Sequence, residues 1–282
     1  WNEQDPILKE RLFGVTGTQG NHGEDVKEYY YYLDATPTHS YAKMLYKYPQ
    51  GAYPYADLVH ENEARGKEAS EYELVDAIGD ALAAGRYFDV VVEYAKAGEE
   101  DILCRITAHN RGPDAAPLHL LPQLWFRNDW SWDHDTDRPV LEQTGDREVR
   151  LHKDALGERW WYADAPDDAA VDLLFTHNET NRERLSDGDS PSPYVKDGIN
   201  DHVVDGAPEA VHPERRGTKA AAHVRVDVPA GEARTVDVRF TPERKQRPFV
   251  HCDRLIEDRR AEADAFYDAV QRDDLSEEDE RI

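Results

Sequence analysis

Tyr87-Phe88-Asp89-Val90-Val91-Val92-Glu93-Tyr94, followed by Asp101-Ile102-Leu103-Cys104-Arg105-Ile106-Thr107-Ala108-His109, decides the fold. In the first segment Phe88, Val90, Val92 and Tyr94 fall on one side of an extended chain. Tyr87, Asp89, Val91 and Glu93 fall on the other. In the second, Ile102, Cys104, Ile106 and Ala108 alternate with Leu103, Arg105, Thr107 and His109. A period of two is the mark of a half-buried strand, because successive side chains leave opposite faces of the pleat. The turn Ala97-Gly98-Glu99-Glu100 joins the two segments as a hairpin, and Arg111-Gly112-Pro113 ends it.

Reading outward, the same signal recurs. Tyr29 to Tyr32 is an aromatic run suited to a strand. Leu118 to Phe126 is an apolar stretch, and Arg147 to His152, Trp160 to Ala163 and Val171 to Thr176 read as short strands. Pro191, Pro193 and their Ser and Gly neighbours mark a long loop over Asp187–Gly206. His223 to Val228, the turn Pro229-Ala230-Gly231-Glu232 and Thr235 to Phe240 read as a second hairpin. Strand after strand with turn residues between them predicts a mainly β fold, an antiparallel β-sandwich. A weaker helix is expected over Glu61 to Leu82, interrupted by Gly66 and Gly79. From Asp253 the period changes. Leu255, Ile256, Ala263, Phe266, Tyr267 and Val270 recur at helical spacing, which predicts a C-terminal amphipathic helix whose apolar stripe needs a partner surface.

Charge narrows the function classes. The 282 residues carry 59 Asp plus Glu against 34 Lys plus Arg, a net charge of -25. Such an excess repels a phosphate backbone and an anionic membrane surface, so neither nucleic acid nor membrane is expected as a partner. Solubility accounts for the acidity, and so does adaptation to high salt. Six Trp, fifteen Tyr and seven Phe supply a core, unlike a disordered chain. No stretch approaches a membrane span. Trp1 to Pro6 has no signal-peptide character, so the chain reads as processed or as part of a longer protein. Cys104 and Cys252 form no CxxC pair, and two free buried thiols in a reducing, cytoplasmic setting are favoured over a disulfide.

The chemical motifs are few. Gly14, Gly17, Gly20 and Gly23 match neither phosphate-binding fingerprint and read as a surface loop. His22 and Glu24 offer two metal ligands in the jelly-roll manner but no further partners, so no metal or other cofactor is assigned. Asp133 to Asp137 spaces carboxylates like a calcium loop, but Arg138 stands where glycine should be and Thr144 where the bidentate Glu should be. No serine has a triad context, and among 59 acids no pair can be nominated as general acid and base. The sequon at Asn178-Glu179-Thr180 carries no weight without a secretion signal. More telling is Trp125-Phe126-Arg127-Asn128-Asp129-Trp130-Ser131-Trp132, which runs from an apolar strand into a polar loop. Aromatic faces beside Asn, Asp and Arg suit the C–H face and hydroxyls of a pyranose. Packing is favoured for Trp125 and exposure for Trp130 and Trp132. Asn178 to Asn181 and Ser192 to Asp197 are polar loops of the same kind.

Taken together these segments resemble a known family. Trp1 to Gly14, Asn21 to Tyr30, Thr36 to Tyr41, Tyr46 to Gln50, Trp125 to Trp132, Asn178 to Leu185, Pro193 to Asn200 and Gly217 to His223 look like the bacterial and archaeal glucosidases of glycoside hydrolase family 63. The resemblance covers nearly the whole chain. It implies an N-terminal β super-sandwich over 1–250 (short of its start) and a linker helix over 251–282, leading to an (α/α)6 barrel outside this chain. It also implies hydrolysis of α-glucosidic bonds with inversion, which needs two carboxyls roughly 6.5–9.5 Å apart. The family's Asp acid and Glu base belong to the barrel and match no residue here, so no catalytic residue is expected in this chain. The expected role is the non-catalytic sandwich of such an enzyme acting on glucosyl oligosaccharides or glycosides. Its partners would be the carbohydrate substrate and its own barrel. Asn128, Trp130, Trp132, Asn178, Asn181 and Tyr194 are the rim residues expected to meet sugar. The rival readings are a free-standing carbohydrate-binding module and a metal-dependent jelly-roll protein using His22 and Glu24.

Overall fold

A computed structural model describes residues 1–9, 28–66, 68–131, 137–186 and 188–271. The strands are β1 (Tyr29–Ala35), β2 (Tyr41–Pro49), β3 (Tyr87–Gly98), β4 (Asp101–Asn110), β5 (Ala116–Leu120), β6 (Gln123–Trp125), β7 (Val140–Gly145), β8 (Glu148–Lys153), β9 (Gly157–Asp164), β10 (Ala170–Thr176), β11 (Arg216–Gly217), β12 (Lys219–Val228) and β13 (Ala233–Thr241). The helices are α1 (Tyr55–Ala64), α2 (Leu74–Ala83), α3 (Arg182–Ser186), α4 (Gly198–Val203) and α5 (Cys252–Val270).

The Tyr87–His109 stretch folds as the expected hairpin, Phe88 opposite Asn110 and Tyr94 opposite Cys104. It lies inside a nine-stranded sheet of order β1-β2-β3-β4-β13-β9-β8-β7-β11. Facing it is a smaller sheet of order β10-β12-β5, with β6 also paired to β12. Every recorded pairing is antiparallel. The protein is therefore mainly antiparallel β, a two-sheet sandwich with a C-terminal helix. Phe88, Val90, Cys104, Ala108, Val236 and Val238 from the large sheet meet Leu118, Leu173, Phe175, Ala222 and Val224 from the small one. Removing such side chains from water is the main stabilising term, about 1.5–3 kcal/mol for each Val, Leu or Phe. The small sheet is covered on its outer side too. Leu8 and Ile199 pack there over Leu174 and Ala221, so the alanine run of β12 leaves room for layers on both faces.

Three sequence expectations need correction. First, β12 and β13 are not a hairpin. β12 belongs to the small sheet and β13 to the large one, so Pro229–Glu232 is an arch between layers. Asn110 holds that arch. Its Nδ2 donates to the carbonyls of Val228 and Asp114, both at 2.8 Å, and its backbone N–H donates to Glu232 O at 2.9 Å. Its Oδ1 accepts from Gly112 N at 2.7 Å and Gln50 Nε2 at 2.6 Å. Second, the Asp187–Gly206 loop contains α4, pinned because Asn200 Oδ1 accepts from Leu8 N at 2.8 Å. Third, the helix expected over Glu61–Leu82 is two helices. Asn62 bridges the break between them, bonding Tyr72 N and Tyr72 O at 2.9 Å each.

Helix α5 finds its partner surface on the outer face of the large sheet. Cys252, Ile256 and Ala263 pack with Tyr41, Ala95 and Leu103. Arg260 donates to Glu93 Oε1 at 2.6 Å, and Tyr41 donates to the same oxygen at 2.6 Å. The two cysteines are free and buried, Cys104 in the sandwich core and Cys252 in the first turn of α5, in separate clusters. Among the described residues no helix is long and apolar enough to cross a membrane.

Candidate functional site

The loops that carry the expected sugar-binding residues converge at one end of the small sheet, where β10, β12 and β6 meet. Lys219 of β12 pairs with Trp125 of β6 and with Thr176 of β10, so the loops leaving these strands start side by side. Gly217 makes the closeness possible, since a Cβ there would lie 2.1 Å from Thr176 O. Gly198 does the same at the start of α4, where a Cβ would lie 2.2 Å from Ala210 O.

Five of the six residues expected at the rim are described, and bonds link their loops. Asn128 Nδ2 donates to Asn178 O at 2.8 Å, and Asn178 Nδ2 donates to Phe126 O at 2.8 Å. Trp130 Nε1 donates to Glu179 Oε1 at 2.8 Å. Lys196 N donates to Glu179 O at 3.0 Å and His177 N to Tyr194 O at 2.7 Å, so the loop carrying Tyr194 lies against the loop carrying Asn178. Asn181 Nδ2 lies 3.2 Å from both oxygens of Asp197, which is buried and also pairs with Arg184. Lys219 sends its ammonium to Lys196 O at 2.9 Å, tying the loops to β12. Trp132 lies outside the described residues, as do His22 and Glu24 of the jelly-roll metal reading and Asp133–Thr136 of the calcium-like loop. Trp125 corrects the packing expectation: it is 55% exposed at the end of β6.

Glu179 is the residue that sequence reasoning missed. Its side chain is only 7% exposed, and Oε1 takes both the Trp130 indole and the Arg138 guanidinium, the latter at 2.9 Å. Its other oxygen, Oε2, is buried without a hydrogen-bond partner among the described residues. The same holds for Asp129 Oδ1, Thr176 Oγ1 and His177 Nδ1, all on the converging segments. An orphaned buried polar atom costs about 1–3 kcal/mol, so a cluster of them at one loop junction marks a place that enclosed water or a rearrangement of the loops would complete. His177 and His212 stand edge to face at 5.7 Å, with Tyr194 at 4.6 Å from His212. Burial, and then the Arg138 guanidinium, holds His177 below the ordinary histidine range; burial, and then Arg216, does so for His212. Two neutral imidazoles can each donate and accept, as hydroxyl recognition requires. No sequence signal singled out Glu179 among 59 acids, but its place beside Asn178 was a clue. Among the described residues no group of three or more His, Cys, Asp or Glu is arranged to hold a metal.

No family model matches the chain. It is similar to the uncharacterized protein YMR196W of Saccharomyces cerevisiae, with 40% identity over 309 aligned residues. That alignment takes in 95% of this chain and 28% of the yeast protein, so the chain spans little more than a quarter of that relative's length. Among solved structures, a crystal structure of heparinase III aligns at a TM-score of 0.34 and 10% identity, over 77% of this chain and 22% of the enzyme. A second heparinase III gives 0.31 and 9%, with the same coverage. Likeness at that level carries no argument about fold or chemistry.

Proposed function

We propose that the chain is the non-catalytic sandwich portion of a longer, inverting α-glucosidase-like glycoside hydrolase, resembling family 63. In this reading residues 1–250 form the sandwich, and the helix from 251 onward leads toward an (α/α)6 catalytic barrel. The converging loops lend Asn128, Trp130, Trp132, Asn178, Asn181 and Tyr194 to the rim of the sugar site. The single observation that carries the reading is the Trp130–Glu179 pair with its unpartnered Oε2, set among Asn side chains and neutral imidazoles. Acceptors without donors, next to an indole, match a ligand rich in hydroxyls. The two buried free thiols fit a reducing, cytoplasmic compartment.

The test is turnover of a glucosyl disaccharide. The 282 residues alone should give none, and the full-length polypeptide should give it. Turnover by the 282-residue chain would overturn the assignment. Calorimetric binding of glucose oligomers by the 282 residues, with no activity in the longer polypeptide, would instead favour a free-standing binding module.

A further inference from the structure

The large sheet has nine strands and the small sheet four, so they cannot cover each other completely. Burial on the inner face falls away toward β1. Phe88 is fully buried, but two and three steps along the same face Val92 is half-buried and Tyr94 is 46% exposed. On β2 the sequence runs from buried Tyr48 to half-buried Tyr46 and Met44, and on β1 Tyr32 is 89% exposed. The pairings Tyr32↔Met44 and Met44↔Val92 place these side chains in one row, so the uncovered strip is continuous.

Among the described residues β1 is also the edge of the sheet. Tyr30-Tyr31-Tyr32-Leu33 puts four uncharged, exposed residues there, in a chain where 33% of residues are charged. Natural edges are blunted by charge or proline, or covered. Both ends of this edge are fixed. Tyr30 stacks on Tyr46 at 4.9 Å, and both hydroxyls donate to Glu28 at 2.7 Å. At the other end Tyr267 of α5 donates to Ala35 O at 2.6 Å. Among the described residues the middle of the strand has no pairing partner on its outer side, up to the bulge at Leu33.

We propose that this edge is completed by an extended segment of the same polypeptide from outside the 282 residues. That segment pairs with β1 along Tyr30–Tyr32 and lays apolar side chains over Tyr32, Met44 and Tyr94. The relative that this chain matches has 72% of its length outside the match, ample chain to supply such a strand. A second copy fits worse. Antiparallel β1–β1′ pairing would set the Glu28 end of one strand against the Asp34 end of the other, between two molecules of charge -25. The inference rests on this surface and on chain length, not on the sugar reading.

Amide exchange is the test, comparing the 282-residue chain with the full-length polypeptide. Amides of Tyr30–Tyr32 not bonded to β2 should exchange at least about tenfold more slowly in the longer chain. Tyr32→Lys, at a position exposed enough to leave the fold intact, should remove that protection. Equal exchange in the two chains would overturn the proposal. A concentration-dependent dimer of the 282 residues, abolished by Tyr32→Lys, would also overturn it by giving the edge to a second copy.

Discussion

The indole N–H of Trp130 donates to Glu179 Oε1 at 2.8 Å, binding a loop that leaves β6 to a loop that leaves β10. Two residues 49 apart in sequence thereby join two loops, and Arg138 closes on the same oxygen. Trp130→Phe keeps the ring but deletes the donor. It should lower stability by about 1 kcal/mol in urea unfolding, the worth of one intramolecular hydrogen bond, and, through the loosened loop junction, weaken binding of glucose oligomers by the full-length protein if the proposed function holds. Calorimetry and urea unfolding of the wild type and Trp130→Phe check this.

Asn110 should be among the most sensitive polar positions. Its side chain makes four hydrogen bonds and holds the arch between the sheets. Asn110→Ala strands the Val228 carbonyl and Gly112 N–H, and should cost about 3 kcal/mol in urea unfolding. A loss below about 1 kcal/mol would show that the arch does not depend on it.

How much of this was legible beforehand differs by element. The Tyr87–His109 hairpin was readable because a period of two needs only local sequence. The Pro229–Glu232 connection was misread because a four-residue turn looks the same whether it joins neighbours in one sheet or crosses between two. The difference lies in Asn110, 118 residues away from Val228. Helix α4 hid in a Pro- and Ser-rich stretch because six residues give little periodicity, and its anchor is Leu8, 192 positions away. At the loop junction, the Asn and Trp residues were singled out by residue type and the structure brings the loops of the described ones together, whereas Glu179 became distinct only through its partners. Trp125 went wrong because an apolar run does not reveal which residue ends the strand.

Stability should fall in two stages as the medium is acidified. Burial, and then the neighbouring His119, pushes His223 down to about 3, against an unfolded value of about 6.5. A base with a lowered folded pKa contributes its full stability above pH 6.5. That contribution drains away as pH falls toward 3, because the unfolded chain takes up the proton first. Below about pH 4 a second loss begins. Burial opposes the charged forms of Asp89, Glu93 and Asp101, but bonds to Lys47 and Arg111, to Tyr41 and Arg260, and to Arg239 outweigh it and hold them below the usual carboxylate range. Their stabilisation is present above the unfolded carboxylate pKa and is lost as pH falls through the folded one. Urea midpoints measured from pH 7 to 3 should decline throughout, and His223→Gln should make the stage between pH 6.5 and 5 shallower, leaving the part due to His119, His177 and His212.

Neither thiol should react in the native protein. Burial pushes Cys104 up to about 12 and Cys252 up to about 11, leaving almost no thiolate at neutral pH. A chromogenic thiol reagent should detect both only after unfolding. Rapid labelling of either under native conditions would show that the core or the α5 interface opens readily.

The central claim is that the converging loops form the sugar-contacting rim of a larger glycosidase. Steady-state kinetics of the full-length polypeptide on a glucosyl oligosaccharide, with wild type and Glu179→Ala compared at matched folding, tests it most directly. The rim account predicts KM raised about tenfold or more with kcat nearly unchanged, since the rim binds ground and transition states alike. An unchanged KM in a folded Glu179→Ala protein would contradict it.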